Sequence, residues 1–198
     1  MSVQERKDRD RARRHQLIVT TARELAEAEG WDAVTTRRLA ERIEYSQPVL
    51  YSHFRGRDEI VEAVALEGFV ELGAAVRRGV PAGVPPRAAV AALAKAYVDF
   101  ATDNPAVYDA MFSMSTGLLF SDEATPAPLR DAFDALYEVL QPVAGTAHPG
   151  TFTEVSWAAL HGLVTLAMAR RLPGGIPGPR LDVLVDRLVG NRHLGRQH

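Results

Sequence analysis

The stretch Thr35–Phe54, TTRRLAERIEYSQPVLYSHF, decides the fold because it predicts two short helices joined by a tight turn. Leu39 and Ile43 lie four residues apart, and Leu50 and Phe54 repeat that spacing after the turn. Residues four apart lie on the same face of a helix. Two apolar faces are therefore expected to pack against each other.

Each helix of this pair carries its own start signal. Thr35 or Thr36 can cap the first helix and Ser46 the second, because hydroxyl oxygens accept hydrogen bonds from the orphan N–H groups of a first turn. Pro48 then falls in the first turn of the second helix, where its missing N–H is not needed.

The outward residues of the second helix are small or hydrogen-bonding, which suits a helix that enters a groove. The major groove of DNA admits one helix, whose N-terminal residues meet the base edges. Gln47, Pro48 and Val49 are the candidates: Gln47 can hydrogen-bond to adenine and Val49 can contact a thymine methyl group. The spacing is equally consistent with a plain helical hairpin in an all-α core.

The sequence on both sides of the pair extends the pattern. An amphipathic helix ends in Glu29-Gly30-Trp31, and Leu50-Tyr51-x-His53-Phe54 leads into Arg55-Gly56-Arg57-Asp58-Glu59-Ile60 and a long helix. This combination resembles the N-terminal domain of the TetR family of bacterial transcriptional regulators. One residue departs from it, since the family usually carries Gly in the turn where this chain has Glu44. A non-Gly residue at positive φ is strained, so it is open whether Glu44 alters the pose of the recognition helix.

The resemblance implies a set of DNA contacts around the helix pair. Residues at the family's phosphate-contacting positions can donate to phosphate oxygens, and they join the candidates for base readout. The expected DNA-binding residues are Thr36, Arg37, Tyr45, Ser46, Gln47, Pro48, Val49, Tyr51, His53 and Arg57. A regulator of this kind is expected to read a pseudo-palindromic operator as a homodimer and to be released by a small molecule.

Charge is distributed in the direction that DNA binding requires. The 198-residue chain has a net charge of -2, so any basic surface must be local. Before Asp58 there are 12 basic and 9 acidic residues, and the remaining 11 basic and 16 acidic residues follow. The N-terminal part is therefore net positive and the rest is net negative.

Composition and motifs also exclude several classes of protein. The chain has no cysteine, which rules out disulfides and thiolate chemistry. It shows neither a membrane-length apolar run nor a signal peptide, so a cytoplasmic protein is expected. Gly-rich phosphate loops, HExxH and Gly-x-Ser-x-Gly are missing, and the six histidines show no ligand spacing. No enzyme activity, metal site or cofactor is predicted.

The predicted domain organisation follows the breaks in composition. Residues 1–10 are expected to be a disordered tail, 11–57 the helix-turn-helix domain and 58–79 a connecting helix. Residues 80–192 are expected to be a helical bundle for ligand binding and dimerisation, and 193–198 a second tail. The basic residues of the N-terminus can be phosphate contacts or merely part of a solvated tail: Arg6, Lys7, Arg9, Arg11, Arg13 and Arg14.

The second half carries aromatic and methionine residues that favour a small-molecule site. Trp157-Ala158-Ala159-Leu160-His161-Gly162 resembles the Trp-His-Gly (WHG) signature of one C-terminal subclass of the same family, as do Asn104-Pro105 and Tyr108-Asp109-Ala110-Met111-Phe112. A ligand lodges in aromatic and Met-rich cavities between helices, although core packing explains these side chains equally well. The candidate ligand-binding residues are Tyr97, Phe100, Met111, Met114, Phe120, Phe133, Tyr137, Trp157 and His161.

Two other functions compete with a DNA-binding regulator. One is a helical dimer that keeps the helix pair as a scaffold and binds another protein, for which Glu44 and the modest basic charge are the best support. The other is a small-molecule-binding protein without DNA function. The residues identify neither the ligand nor the operator, nor whether control is repression or activation.

Overall fold

The structure, a computed structural model, describes residues 2–114, 117–118, 125–175 and 178–190. This part of the chain forms α-helices and turns and contains no strand, which confirms the predicted all-α fold. The helices are α1 (Val3–Glu29), α2 (Thr36–Arg42), α3 (Gln47–Tyr51), α4 (Arg57–Gly79), α5 (Pro86–Asp103), α6 (Pro105–Phe112), α7 (Ala127–Leu140), α8 (Pro149–Met168) and α9 (Gly178–Val189).

The first helix is longer than the sequence predicts. Residues 1–10 were expected to be a disordered tail, but α1 begins at Val3. The Ser2 hydroxyl accepts from the N–H of Glu5 at 3.2 Å, and the Glu5 carboxylate accepts from the N–H of Ser2 at 2.8 Å. This reciprocal capping box satisfies two orphan donors, so the helix begins without burying apolar side chains.

The chain divides into two compact units. The first comprises Met1–Phe69 and Asn104–Pro126, which includes the helix pair. Leu39, Leu50 and Phe54 are at most 3% exposed, as the four-residue spacing predicts. Helix α3 is too short to be stable alone. Burial of these side chains is therefore what holds it against α2.

Helix α6 belongs to this first unit, although the sequence placed it in the 80–192 domain. The Trp31 indole N–H donates to the Ala106 carbonyl at 2.8 Å. The Glu27 carboxylate accepts from the backbone N–H groups of Ala106 and Val107 at 3.1 and 3.2 Å. A carboxylate at a helix N-terminus is favoured by the helix dipole, so α1 and the turn after it hold the start of α6.

The second unit comprises Val70–Asp103 and Ala127–His198. Helix α5 packs against α7, α8 and α9, and α7 packs against α8. Helix α8 ends at Met168 and not at Leu172 as predicted, because Arg170 adopts a left-handed conformation with φ 55°. A left-handed residue terminates the helical hydrogen-bond ladder.

Some predicted features lie outside the described residues, namely the ligand candidate Phe120 and the tail 193–198. Among the residues that are described, no helix is both long enough and apolar enough to cross a membrane.

Candidate nucleic-acid interface

The turn between α2 and α3 has the conformation that glycine favours, although Glu44 occupies it. Glu44 has φ 57°. The N–H of Tyr45 donates to the Ala40 carbonyl at 2.9 Å and that of Glu44 to the Glu41 carbonyl at 3.4 Å. These two bonds form a Schellman cap around a left-handed residue. Glu44 therefore bears some strain but leaves the shape of this turn intact.

Helix α3 starts at the predicted residue but is capped differently. Ser46 is the N-cap, yet its hydroxyl forms no capping hydrogen bond. Pro48 has no N–H to donate, and the N–H of Val49 donates to the Ser46 backbone carbonyl at 3.0 Å. The Ser46 hydroxyl is therefore left on the exposed surface, at the edge of α3, where it can meet a phosphate.

The side chains of α3 divide into an anchor and an exposed face. Leu50 is 1% exposed and fixes the helix to the core. Gln47 and Pro48 are exposed, and Val49 is half-buried. Two of the three residues predicted to read base edges are thus exposed on a helix that Leu50 anchors to the core.

Two hydroxyl groups meet at one edge of the helix pair. The Thr36 Oγ1 and Tyr51 Oη atoms lie 3.5 Å apart, which brings the start of α2 to the end of α3. Tyr51 is 53% exposed, so its hydroxyl remains accessible. Hydroxyl groups at such an edge commonly donate to DNA phosphates.

Two arginines of α2 differ in their availability. The Arg38 guanidinium donates to both carboxylate oxygens of Glu29 at 2.9 Å. That bidentate hydrogen bond holds the pKa of Glu29 below its ordinary value. Arg37 forms a single hydrogen bond to Glu41 at 2.9 Å, and its side chain is 78% exposed. Exposed pairs of this kind are weak, so Arg37 can exchange Glu41 for a phosphate.

Arg57 is occupied within the protein, unlike the phosphate contact that the resemblance implies. Its Nε atom donates to the Val34 carbonyl at 3.1 Å and its Nη2 atom to the Trp31 carbonyl at 2.9 Å. Both bonds are partly buried. Arg57 therefore connects the start of α4 to the segment between α1 and α2. These contacts position the helix pair.

His53 lines a cleft that the sequence analysis did not predict. The cleft has a volume of about 340 Å³ and is lined by Lys7, Asp10, Arg11, Arg14, Ser52 and His53. The Nδ1 atom of His53 is buried without a hydrogen-bond partner. The pKa of His53 lies below its ordinary value, first because burial disfavours the charged ring and then because Arg11, His15 and Arg14 are close.

A readable signal for this cleft existed in the sequence. Lys7, Arg11 and Arg14 follow one another at spacings of four and three residues, which places them on one helix face. The shared face was not predicted because residues 1–10 were expected to be disordered, and residue spacing defines a common face only in a helix.

The predicted ligand-binding residues are distributed over both units. Met111 is buried in the first unit. In the second unit, Tyr97 is fully buried and its hydroxyl accepts from the Trp157 indole N–H at 3.0 Å. His161 is half-buried, which lowers its pKa, and its Nε2 atom lies 3.3 Å from the Thr165 hydroxyl. Half-buried positions are held by Met114, Phe133, Tyr137 and Trp157, and Phe100 is buried.

An apolar groove lies between α8 and α9. Its volume is about 630 Å³, and its lining residues are Ala159, Leu163, Pro179, Arg180, Val183, Leu184 and Arg187. Val183 is 62% exposed, and α8 adds Val155 at 62% and Leu166 at 46%. A run of exposed apolar side chains of this kind marks an interaction surface. Within the described residues, no cluster of His, Asp and Glu side chains is suited to a metal ion.

Comparison with known families matches both halves of the chain. Residues 18–64 match the family described as "Bacterial regulatory proteins, tetR family". Residues 90–191 match the family described as "Tetracyclin repressor-like, C-terminal domain". The first match contains the helix pair, and the second runs from Val90 within α5 through α9.

Two similar proteins are also HTH-type transcriptional regulators. An uncharacterized HTH-type transcriptional regulator of Mycobacterium tuberculosis is 30% identical over 152 residues, which is 76% of this chain and 68% of that protein. One of Bacillus subtilis is 34% identical over 100 residues, which is 48% of this chain and only 49% of that protein. A solved structure of a protein of unknown function from Rhodococcus sp. RHA1 has a TM-score of 0.69 at 26% identity, covering 88% of this chain and 91% of that one.

Proposed function

The chain belongs to the TetR family of bacterial DNA-binding transcription regulators, and we propose that it is a ligand-responsive repressor. It binds a pseudo-palindromic operator as a homodimer and is released when a small molecule binds. Such a protein acts where bacterial DNA lies, in the cytoplasm.

The observation that carries this proposal is the presentation of α3. Leu50 anchors the helix, and Gln47 and Pro48 face solvent at its N-terminal end. This is the end of a recognition helix that reads base edges. The left-handed conformation of Glu44 also weakens one of the two arguments for the interaction-protein alternative, because the turn is shaped as a glycine would shape it.

Dimerisation is required by this reading, because two recognition helices roughly 34 Å apart contact two half-sites of the operator. The groove between α8 and α9 is the surface we assign to it. Val183 in the groove is exposed, and so are Val155 and Leu166 elsewhere on α8, whereas apolar residues are depleted from ordinary helix faces that meet water. Pairing of this surface with a second copy is isologous, as a two-fold dimer requires.

The ligand site is assigned to the second unit, where Tyr97, Trp157 and His161 supply polar groups among apolar side chains. The Trp157–Tyr97 hydrogen bond fixes two large rings. His161, half-buried and held near its neutral form by burial, can donate or accept with a ligand. The WHG subclass remains a prediction, and the ligand acts by binding better to the conformation that does not fit the operator.

Selection of bound sequences from a random double-stranded DNA pool tests the function without a guess about ligand or gene. We expect enrichment of a pseudo-palindrome whose half-sites are about one helical turn apart. Failure of a folded, dimeric protein to enrich any sequence would favour the interaction-protein alternative.

Two substitutions then separate base readout from phosphate contact. Gln47→Ala is expected to change which base is preferred at one position of each half-site, at a cost of about 1–3 kcal/mol for the original base. Tyr51→Phe is expected to weaken binding to all sequences alike, because it removes only a hydroxyl donor. An identical change in sequence preference from both would contradict these roles.

The dimer surface has a matched test of its own. Val183→Asp places a charge on the α9 side of the groove between α8 and α9. We expect sedimentation analysis to show that this variant is a monomer. Val70→Asp is the control, since Val70 is another exposed helical valine, at 56%, away from that groove. Retention of a full dimer by Val183→Asp would place the interface elsewhere.

A further inference from the structure

His53 lies where the end of α3 meets α1. The backbone N–H groups of His53 and Phe54 both donate to the Leu50 carbonyl at 2.9 Å, and these bonds close the last turn of α3. The Phe54 ring is 3% exposed, and its centroid lies 4.5 Å from that of the His15 ring of α1. The His53 side chain lines the cleft between the same two segments. A change in the His53 ring therefore acts on the contact between α3 and α1.

The His53 ring fits this position best in its neutral form. Its Nδ1 atom is buried and has no hydrogen-bond partner in the described part of the chain. A neutral ring can leave Nδ1 without a hydrogen, whereas a charged ring carries a hydrogen on both nitrogens. Protonation at this position therefore creates a buried donor without an acceptor, which costs free energy.

The charges around the ring also oppose a further positive charge. Like charges held together repel each other, and the cleft contains three cations and one carboxylate. The charged and titratable groups that α1 places near the ring are Lys7, Asp10, Arg11, Arg14 and His15. On the other side, Arg55 and Glu59 form an ion pair with each other at 3.5 Å. Burial first, and then Arg11, His15 and Arg14, hold the pKa of His53 below its ordinary value.

We propose that His53 makes the DNA-binding unit sensitive to acid: at mildly acidic pH the ring takes up a proton from water, moves out of the cleft and releases the end of α3 from α1. The proton is then an effector that acts on the pose of the recognition helix. The consequence for operator binding rests on the proposed function, whereas the release of α3 does not.

The pH range of this switch follows from the direction of the pKa shift. The pKa of the packed ring is lowered, whereas a released ring returns to the ordinary value of about 6.5. The released form therefore binds more protons in mild acid. Packing of His53 contributes stability that is present above about pH 6.5 and is lost as the pH falls through the lower pKa of the packed ring. Between the two pKa values, each pH unit favours release by up to about tenfold.

The first test follows amide hydrogen exchange by NMR in the full-length protein from about pH 7 to pH 5. The reporters are the N–H groups of His53 and Phe54, which close the last turn of α3. After correction for intrinsic exchange, we expect their protection to fall by up to about tenfold for each pH unit below about 6.5. His53→Gln keeps a polar side chain that does not titrate, so its protection should not change with pH.

Two further variants show whether the response belongs to the cleft. His161→Gln is the matched control, because burial also lowers the pKa of His161 but this residue lies in the second unit. Its response should equal that of the wild type. Arg11→Ala/Arg14→Ala removes two of the charges that lower the pKa of His53, so the total loss of protection should be smaller. A purely structural role of the two arginines would not change the dependence on pH.

The second test measures operator affinity over the same pH range. A protonated His53 adds a positive charge beside α3, and such a charge alone would strengthen attraction to DNA phosphates. Release of α3 has the opposite effect. We therefore expect the affinity of the wild type to fall in mild acid and that of His53→Gln to change much less. A rise in wild-type affinity that His53→Gln abolishes overturns the role of the switch in operator binding.

The outcomes also separate this proposal from the proposed function. Constant protection in the wild type overturns the proposal, as does a loss that persists in His53→Gln. A loss that His15→Gln abolishes and His53→Gln does not would make His15 the sensor and also overturns it. A directly titrated pKa of His53 at or above about 6.5 has the same consequence and needs no variant. If the wild type selects no DNA sequence, the proposed function fails, and the exchange experiment alone still decides whether acid releases α3.

Discussion

Substitution of Arg57 separates a positioning role from a phosphate contact. In the structure the Arg57 guanidinium donates to the carbonyls of Trp31 and Val34 at 2.9 and 3.1 Å. Arg57→Ala leaves both carbonyls without this partner and frees the start of α4 from the connection between α1 and α2. We therefore expect the variant to lose stability, not only affinity for DNA.

The size of the loss follows from the two bonds. A hydrogen bond that involves a charged group contributes about 1.5–3 kcal/mol. Both bonds are only partly buried, so water replaces part of each and about 3 kcal/mol is expected for the pair. In a chain of this size each kcal/mol lowers the melting temperature by roughly 2–4 °C. Arg57→Ala should therefore melt about 6–12 °C below the wild type.

Two further variants complete the assay, which combines thermal unfolding by circular dichroism with operator titration. Arg37→Ala removes an exposed pair and should shift the melting temperature by less than about 2 °C while weakening DNA binding. Arg57→Lys keeps the charge, but an ammonium is a point charge without the planar fork, so it should restore little of the lost stability. The positioning role of Arg57 is refuted if Arg57→Ala melts like the wild type and Arg57→Lys restores DNA affinity fully.

Three further predictions follow from local geometry. Glu44→Gly and Arg170→Gly remove strain at two left-handed residues, so each should change stability by about +0.5 to +1 kcal/mol in chemical denaturation. Gly68→Ala would place a methyl group 2.6 Å from a side-chain atom of α6 and should destabilise by about 1–3 kcal/mol, whereas Gly162→Ala meets nothing within 4 Å and should not. Because burial lowers the pKa of His161, this residue contributes stability that is present above its unfolded pKa and is lost as pH falls through the lower, folded pKa; His161→Gln should flatten that part of the stability profile.

The helix pair was predictable because its signals are local. The four-residue spacing of Leu39, Ile43, Leu50 and Phe54 and the cap at Thr35 act within one or two turns of helix. The Thr35 hydroxyl does accept from the N–H of Arg38, at 3.2 Å. Patterns of this kind do not depend on tertiary contacts, so they can be identified from the sequence alone.

The start of α1 was missed although its signal is equally local. Ser2 and Glu5 form a capping box, a pattern that predicts a helix start, and it was outweighed by the highly charged composition of residues 1–10. Composition reports whether a segment can bury a core, which is a different question from whether it can be helical. The basic cleft was missed with it, because Lys7, Arg11 and Arg14 line it together only when this segment is helical.

The roles of Arg57 and α6 could not be predicted, because both depend on contacts between distant parts of the chain. Arg23 donates to the Asn104 side chain at 2.7 Å, and Glu27 and Trp31 form hydrogen bonds with the backbone of Ala106 and Val107. Four hydrogen bonds thus attach the start of α6 to α1, which carries the basic cleft at its other end, and to Trp31 just after it. A rearrangement that displaces α6 must either break these bonds or move α1 with it. Since α1 also packs against α2, displacement of α6 would be transmitted through α1 to the helix pair.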